Sequence, residues 1–135
     1  MRVGGSVNEV PLILVVEDEY LLRRDMEEIL TGAGFAGDSF PSGETALASF
    51  MDNAKTYKAL ITDVNLGDGL NGWEVARRIR EKEAGFPVIY ITAYSAAEWT
   101  AHGVPNSILI SKPFAPTQLV TALSNLLNVG SAPTT

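Results

Sequence analysis

Cysteine is absent from the 135 residues, and histidine occurs once, at His102. The first absence excludes disulfides, thiolate metal sites and cysteine nucleophiles, and makes the reducing cytoplasm the expected setting. A single imidazole offers neither a histidine metal cluster nor a catalytic dyad. Positive charge is also sparse: 10 Lys and Arg against 16 Asp and Glu leave a formal charge of −6. Binding along nucleic-acid phosphates needs a clustered basic surface, so direct nucleic-acid contact is not expected. No apolar run approaches the roughly 20 residues that cross a bilayer. The opening MRVGGSVNEVP lacks the continuous apolar stretch of a signal peptide. No membrane role is expected either. Neither G-x-x-x-x-G-K-[ST] nor G-x-G-x-x-G follows the first apolar run, so a P-loop and a dinucleotide site are not expected.

What is present is enough apolar residue, 46% of the chain, for one sizeable core. Residues 1–10 read as a flexible arm, 11–129 as one domain and 130–135 (GSAPTT) as a tail. Short β-branched runs at Leu12–Val16, Leu60–Thr62, Val88–Thr92 and Ser107–Ile110 have the length and bounding breakers of strands buried on both faces. A weaker run at Phe35–Phe40, interrupted by Gly37, suits an edge strand. Between them lie segments with helical spacing: Leu22, Met26, Ile29 and Leu30; then Val75, Ala76 and Ile79; then Leu119, Leu123, Leu126 and Leu127. Ser95-Ala96-Ala97-Glu98 has the capping-box pattern of a helix start, and Pro116 suits a first helical turn. Strand and helix alternating five times predict a doubly wound α/β fold, with a five-stranded parallel sheet and five helices. The order 2-1-3-4-5, that of flavodoxin-like sheets, is taken here, and such sheets bind ligands outside the carboxyl ends of their strands.

The residues at those ends converge on one chemistry. The first strand ends in Glu17 and Asp18, the third in Asp63, the fourth in Thr92 and the fifth in Lys112. Three carboxylates on one rim repel unless a cation joins them, and an all-oxygen set favours a hard ion such as Mg²⁺. An ammonium and a hydroxyl beside them suit phosphoryl oxygens. An acid cluster, a divalent cation and two such donors make a phosphoryl-transfer site.

On these residues the chain resembles the receiver domain of two-component response regulators, over nearly all of 11–129. Glu17-Asp18 matches the family's acidic pair, Asp63 its phosphoacceptor, Thr92 its Ser/Thr, and Lys112-Pro113 its Lys-Pro pair. Asn65 falls where the family supplies a backbone carbonyl to Mg²⁺. Tyr90-Ile91-Thr92-Ala93-Tyr94, after Pro87, is similar to the Phe-Ala-Thr-Gly-Tyr pattern of a single-domain subfamily. The resemblance implies phosphoryl transfer from a sensor histidine kinase or histidine phosphotransferase to Asp63, with Mg²⁺ held by Glu17, Asp18, Asp63 and the Asn65 carbonyl. Thr92 and Lys112 would bind the phosphoryl oxygens, and Pro113 would be structural. Output would pass through the face of the fourth helix, fifth strand and fifth helix to an unidentified downstream protein. The domain would be a cytoplasmic monomer or weak dimer, and a phosphoacceptor supporting its own phosphorylation and dephosphorylation, not an enzyme acting on a substrate. Six residues after 129 are too few for an effector domain, so the expectation is a stand-alone regulator or a piece of a longer chain.

Two departures from the family pattern stand out. The loop Gly67-Asp68-Gly69-Leu70-Asn71-Gly72 replaces a Met-Pro segment and is one residue longer. Leu109 replaces the aromatic often found three residues before the lysine, which moves attention to Tyr94 as the signalling ring. The plainer alternatives are a cap for Glu17-Asp18 and a β-propensity choice for Thr92. Trp73 is expected to pack on the third helix, Trp99 to be ordinary packing, His102 to lie on the surface, and Asp68 to be a solvated loop acid. A non-phosphorylated interaction module and an Asp63-dependent phosphatase are the rival functions.

Overall fold

Uninterrupted apolar strands can be buried on both faces only if helices cover both faces of the sheet. The computed structural model, which describes residues 10–52, 54–93 and 96–128, has that architecture. The strands are β1 (Leu12–Val16), β2 (Ala36–Phe40), β3 (Ala59–Asp63), β4 (Val88–Thr92) and β5 (Ile108–Ser111), and the helices are α1 (Tyr20–Gly32), α2 (Gly43–Phe50), α3 (Gly72–Lys82), α4 (Ala96–His102) and α5 (Pro116–Asn128). All strand pairs are parallel, in the order β2-β1-β3-β4-β5. The doubly wound, flavodoxin-like order expected from the sequence is therefore present. Tyr94 and Ser95, with residues 1–9 and 129–135, lie outside the described residues.

Strand alternation sorts the core into two layers. Ile13, Val15, Ile61, Ile89 and Ile91 pack under α1 and α5 through Met26, Leu30, Leu119 and Leu123. Leu14, Val16, Leu60, Val88 and Tyr90 face the other way, onto Val75, Ala76 and Ile79 of α3 and Leu47 of α2. Gly37 does not break β2, which pairs with β1 along its whole length; a side chain there would press on Leu30 of α1, its Cβ 3.1 Å from Leu30 Cδ1. The fifth strand begins one residue later than its apolar run suggests, at Ile108, and the Ser107 hydroxyl before it donates to the Val104 carbonyl at 2.6 Å.

The start of α3 is built tightly against the end of β3. Asn71 and Glu74 form a reciprocal capping box, at 3.0 Å in both directions. Gly72 N donates to Val64 O at 2.8 Å. A Cβ on Gly72 would overlap the Asp63 carbonyl oxygen and lie 2.9 Å from Val64 Cα, so only glycine fits without moving backbone. Gly72→Ala is therefore expected to lower stability by about 3 kcal/mol, the upper range for overpacking. Urea denaturation measures this, and a change under about 0.5 kcal/mol, the range of ordinary surface substitutions, would mean that α3 moves away freely.

Candidate functional site

The carboxyl ends of β1, β3, β4 and β5 open into a cleft of ≈ 370 Å³ lined by Glu17, Asp18, Asp63, Asn65, Thr92 and Lys112, the residues singled out from the sequence. Asp63 closes β3 and is buried. Its Oδ2 accepts from Lys112 Nζ at 2.8 Å, and its Oδ1 from the Asn65 backbone N–H at 3.2 Å. Lys112 follows β5, its own N–H donating to Thr92 O at 2.9 Å, so the two strand ends hold ammonium and hydroxyl side by side. Thr92 is buried at the end of β4. The Lys112–Pro113 peptide is cis.

Glu17 and Asp18 are neighbours in sequence and opposites in environment. Glu17 is 1% exposed, whereas Asp18 faces solvent. Glu17 Oε2 accepts from the Glu19 N–H at 3.0 Å, and Arg23 Nη1 donates to the Glu17 carbonyl at 2.8 Å. Part of the capping alternative is thus present, although Glu19, not Glu17, occupies the N-cap of α1 and caps nothing with its own side chain. Glu17 Oε1 is buried with no hydrogen bond; Lys112 Nζ, at 3.4 Å, is an ion-pair partner out of line for donation.

Burial pushes the Glu17 carboxyl up from 4.5 to about 7; the Glu19 N–H opposes this, the charge of Asp63 adds to it, and Lys112 pulls it back. Burial likewise drags the Lys112 ammonium down, but the hydrogen bond and charge of Asp63, then the charge of Glu17, outweigh it and leave its pKa raised. Lys112 therefore stays charged at neutral pH.

Carboxylate oxygens of Glu17, Asp18 and Asp63 lie within 4.8 Å of one another, one exposed and two buried. An orphaned buried oxygen, two further carboxylates and the solvent-facing Asn65 match a hard divalent cation that keeps several waters. The residues fit Mg²⁺. Without it, the buried Glu17 charge is a cost. The fold holds the Glu17 proton more tightly than the unfolded chain does, so the cost grows as pH rises from 4.5 towards 7 and is complete above that. Glu17→Gln in chelator is therefore expected to stabilise the protein by about 1–2 kcal/mol at pH 8 and by little at pH 4. Thermal melts at the two pH values check this; a lower melting midpoint for the variant at pH 8 would show that the ion pair to Lys112 outweighs desolvation.

Several supports of the cleft were not singled out from the sequence. Glu19, Gly67 and Ala93 also line it. Glu44 on α2 reaches across to the loop after Asp63, its Oε2 accepting from Leu70 N at 2.9 Å, and Gly69, at φ +88°, leaves room for that carboxylate. The Asn71-x-x-Glu74 box was a readable signal for where this loop ends; Glu44, distant in sequence, carried none. Leu109 lies partly buried against the core, in register with Tyr90. Asp68 is exposed, as expected. Trp73 is on α3 and buried, with its ring 4.6 Å from that of Tyr90. Trp99 packs against the core and also donates a hydrogen bond to Ser107. His102 is half-exposed, 3.8 Å from Glu98.

The chain belongs to the response-regulator receiver domain family: the family described as "Response regulator receiver domain" matches residues 13–124. Among solved structures, a response regulator receiver protein from Sinorhizobium medicae superposes with a TM-score of 0.83 at 39% identity, over 89% of this chain and 96% of that one. Among curated proteins, the phyllosphere-induced regulator PhyR of Methylorubrum extorquens is 30% identical over 85% of this chain and 43% of its own length. The transcriptional regulatory protein ResD of Bacillus subtilis is 33% identical over 88% of this chain and 49% of its own. The chain thus spans about half the length of the curated relatives it matches. No helix among the described residues is long and apolar enough to cross a membrane.

Proposed function

We propose that Asp63 accepts a phosphoryl group from a partner's phosphohistidine in a Mg²⁺-dependent reaction, and that the phosphorylated domain signals to a downstream protein. The observation that carries this reading is the position of Asp63: 2.8 Å from the Lys112 ammonium and in one cluster with the Glu17 and Asp18 carboxylates. Asp18, Asp63 and the Asn65 carbonyl would hold the ion, with Glu17 ligating directly or through water. When bound, Mg²⁺ neutralises charge on the phosphoryl oxygens.

A carboxylate oxygen of Asp63 attacks phosphorus. The P–N bond breaks, its electron pair stays with the imidazole, and the imidazole takes up a proton. Lys112, which sits on Asp63 Oδ2 in the resting site, passes to an oxygen of the incoming group, and the Thr92 hydroxyl donates to another. Water later attacks the acyl phosphate, returning the carboxylate and inorganic phosphate. Among the described residues, no acid or base lines the cleft beyond the carboxylates and Lys112, which supports a stoichiometric acceptor over a turnover hydrolase. With acetyl phosphate as donor, intact mass should rise by one phosphoryl group in Mg²⁺ and not in chelator. Equal uptake in chelator would overturn the metal dependence, and no uptake in Mg²⁺ the acceptor reading.

A further inference from the structure

Among the helices, α4 is held differently from the rest. It buries none of its residues. Beyond the partly buried Trp99 ring, which packs against the core, its attachment runs through a chain of hydrogen bonds. Trp99 Nε1 donates to Ser107 Oγ at 2.9 Å, Ser107 Oγ donates to Val104 O at 2.6 Å, and Val104 N donates to the Tyr90 hydroxyl oxygen at 3.1 Å. The Trp99 ring lies over Gly103, where a Cβ would come 2.9 Å from the indole nitrogen, and Gly103 N donates to Trp99 O at 2.7 Å. Tyr90, Val104 and Ser107 are all buried, so these bonds are shielded from water. From below, Arg80 holds the same segment, donating to Phe86 O at 2.6 Å and to Pro105 O at 2.8 Å.

Tyr90 is the member of this chain closest in sequence to the site. It is fully buried in β4, with its ring on Trp73, and Thr92 follows two residues later on the same face of the strand. Its register neighbour Leu109 has no polar atom to offer the Val104 N–H. We propose that the Tyr90 hydroxyl is the positioning group that couples the acceptor site to α4: displacement of the Thr92 end of β4 weakens its bond to Val104 N and releases α4 from the core. This rests on the proposed phosphorylation of Asp63. Hydrogen bonds weaken steeply with misalignment, so a shift well under an ångström suffices. Trp99 is the α4 side chain that packs against the core, and it is only partly buried, so little apolar packing resists the release; this places α4 among the locally low-stability elements from which moving parts are drawn.

Tyr90→Phe removes one oxygen and keeps the ring on Trp73; Trp99→Phe breaks the chain at its other end. The measurement is amide hydrogen exchange by NMR on the full chain, with Mg²⁺, with and without beryllofluoride as a stable phosphoryl mimic on Asp63. In the wild type, beryllofluoride is expected to speed exchange at Val104 and along α4 by about tenfold, the effect of losing one buried hydrogen bond. Free Tyr90→Phe should already show that rise, respond little further to beryllofluoride, and bind it as the wild type does. Trp99→Phe should shift α4 the same way, and decides the matter should Tyr90→Phe fail to fold. If Tyr90→Phe raises free exchange and beryllofluoride then adds a full wild-type increment, the hydroxyl is a structural bond only and the coupling is overturned. Full occupancy of wild-type Asp63 with α4 unchanged overturns the coupling alone. Failure of beryllofluoride to occupy Asp63 overturns the acceptor reading as well.

Discussion

Asp63→Asn is expected to take up no phosphoryl group under conditions that label the wild type completely. The substitution removes the nucleophile and the charge paired with Lys112 while leaving the shape of the side chain unchanged. An asparagine Oδ1 still accepts from the Asn65 N–H, as Asp63 Oδ1 does at 3.2 Å, and volume and shape are kept. An amide oxygen has no full negative charge with which to attack phosphorus, and among the described residues the neighbouring carboxylates are held differently. Asp18 is exposed and Glu17 is tied to Glu19 N and beside Lys112. Folding should survive, because relief of the Asp63 repulsion with Glu17 offsets part of the lost ion pair to Lys112, whose ammonium keeps Glu17 as a partner. Intact-mass spectra after acetyl phosphate treatment read the outcome. Uptake equal to the wild type would remove Asp63 from the reaction.

The second large effect is expected at Lys112. In the resting site its ammonium is 2.8 Å from Asp63 Oδ2 and 3.4 Å from Glu17 Oε1, so Lys112→Ala strips the cation from two buried carboxylates at once. Breaking a buried pair from one side typically costs about 3 kcal/mol or more. The rate of phosphoryl uptake should fall about 10²- to 10³-fold, the scale for losing one preorganised donor to a developing charge. The two readouts separate the roles. In Mg²⁺ the stability loss should shrink, because the ion replaces part of the missing charge, whereas the rate loss should remain. Chemical denaturation with and without Mg²⁺, beside single-turnover labelling, tests both. Wild-type labelling rates in Lys112→Ala would rule out its part in the transfer.

Much of the fold was legible because each interior strand is an apolar run up to the polar residues at its carboxyl end. Leu12–Val16 and Val88–Thr92 have the bounds that their β-branched runs suggest. Alternation and handedness left few orders, of which the flavodoxin-like one was taken, and it delivers Asp63, Thr92 and Lys112 to one rim with no long loop to misplace them. What was not legible depends on side chains that meet across the fold. Glu17 and Asp18 are adjacent and chemically alike, so nothing local shows that one is sealed under the rim while the other faces water. Glu44 supports the loop at Leu70 across 26 residues, and neither position carries a motif. Gly72 read as one glycine among several in its loop, although it alone lies against the Asp63 carbonyl. Trp99 read as packing and is also a donor, because Ser107, expected inside the fifth strand, is turned towards Val104 instead. Tyr94, the ring singled out for signalling, lies outside the described residues, while Tyr90, passed over as a strand residue, holds Val104.

The central claim is that a phosphoryl group resides on the Asp63 carboxylate, and chemistry specific to acyl phosphates addresses it directly. After labelling in Mg²⁺, borohydride reduces an aspartyl phosphate to homoserine, and peptide mapping locates the converted residue. Homoserine at position 63 and nowhere else is the expected result. Conversion at position 18, or a label that survives borohydride on a hydroxyl or on His102, would contradict the account.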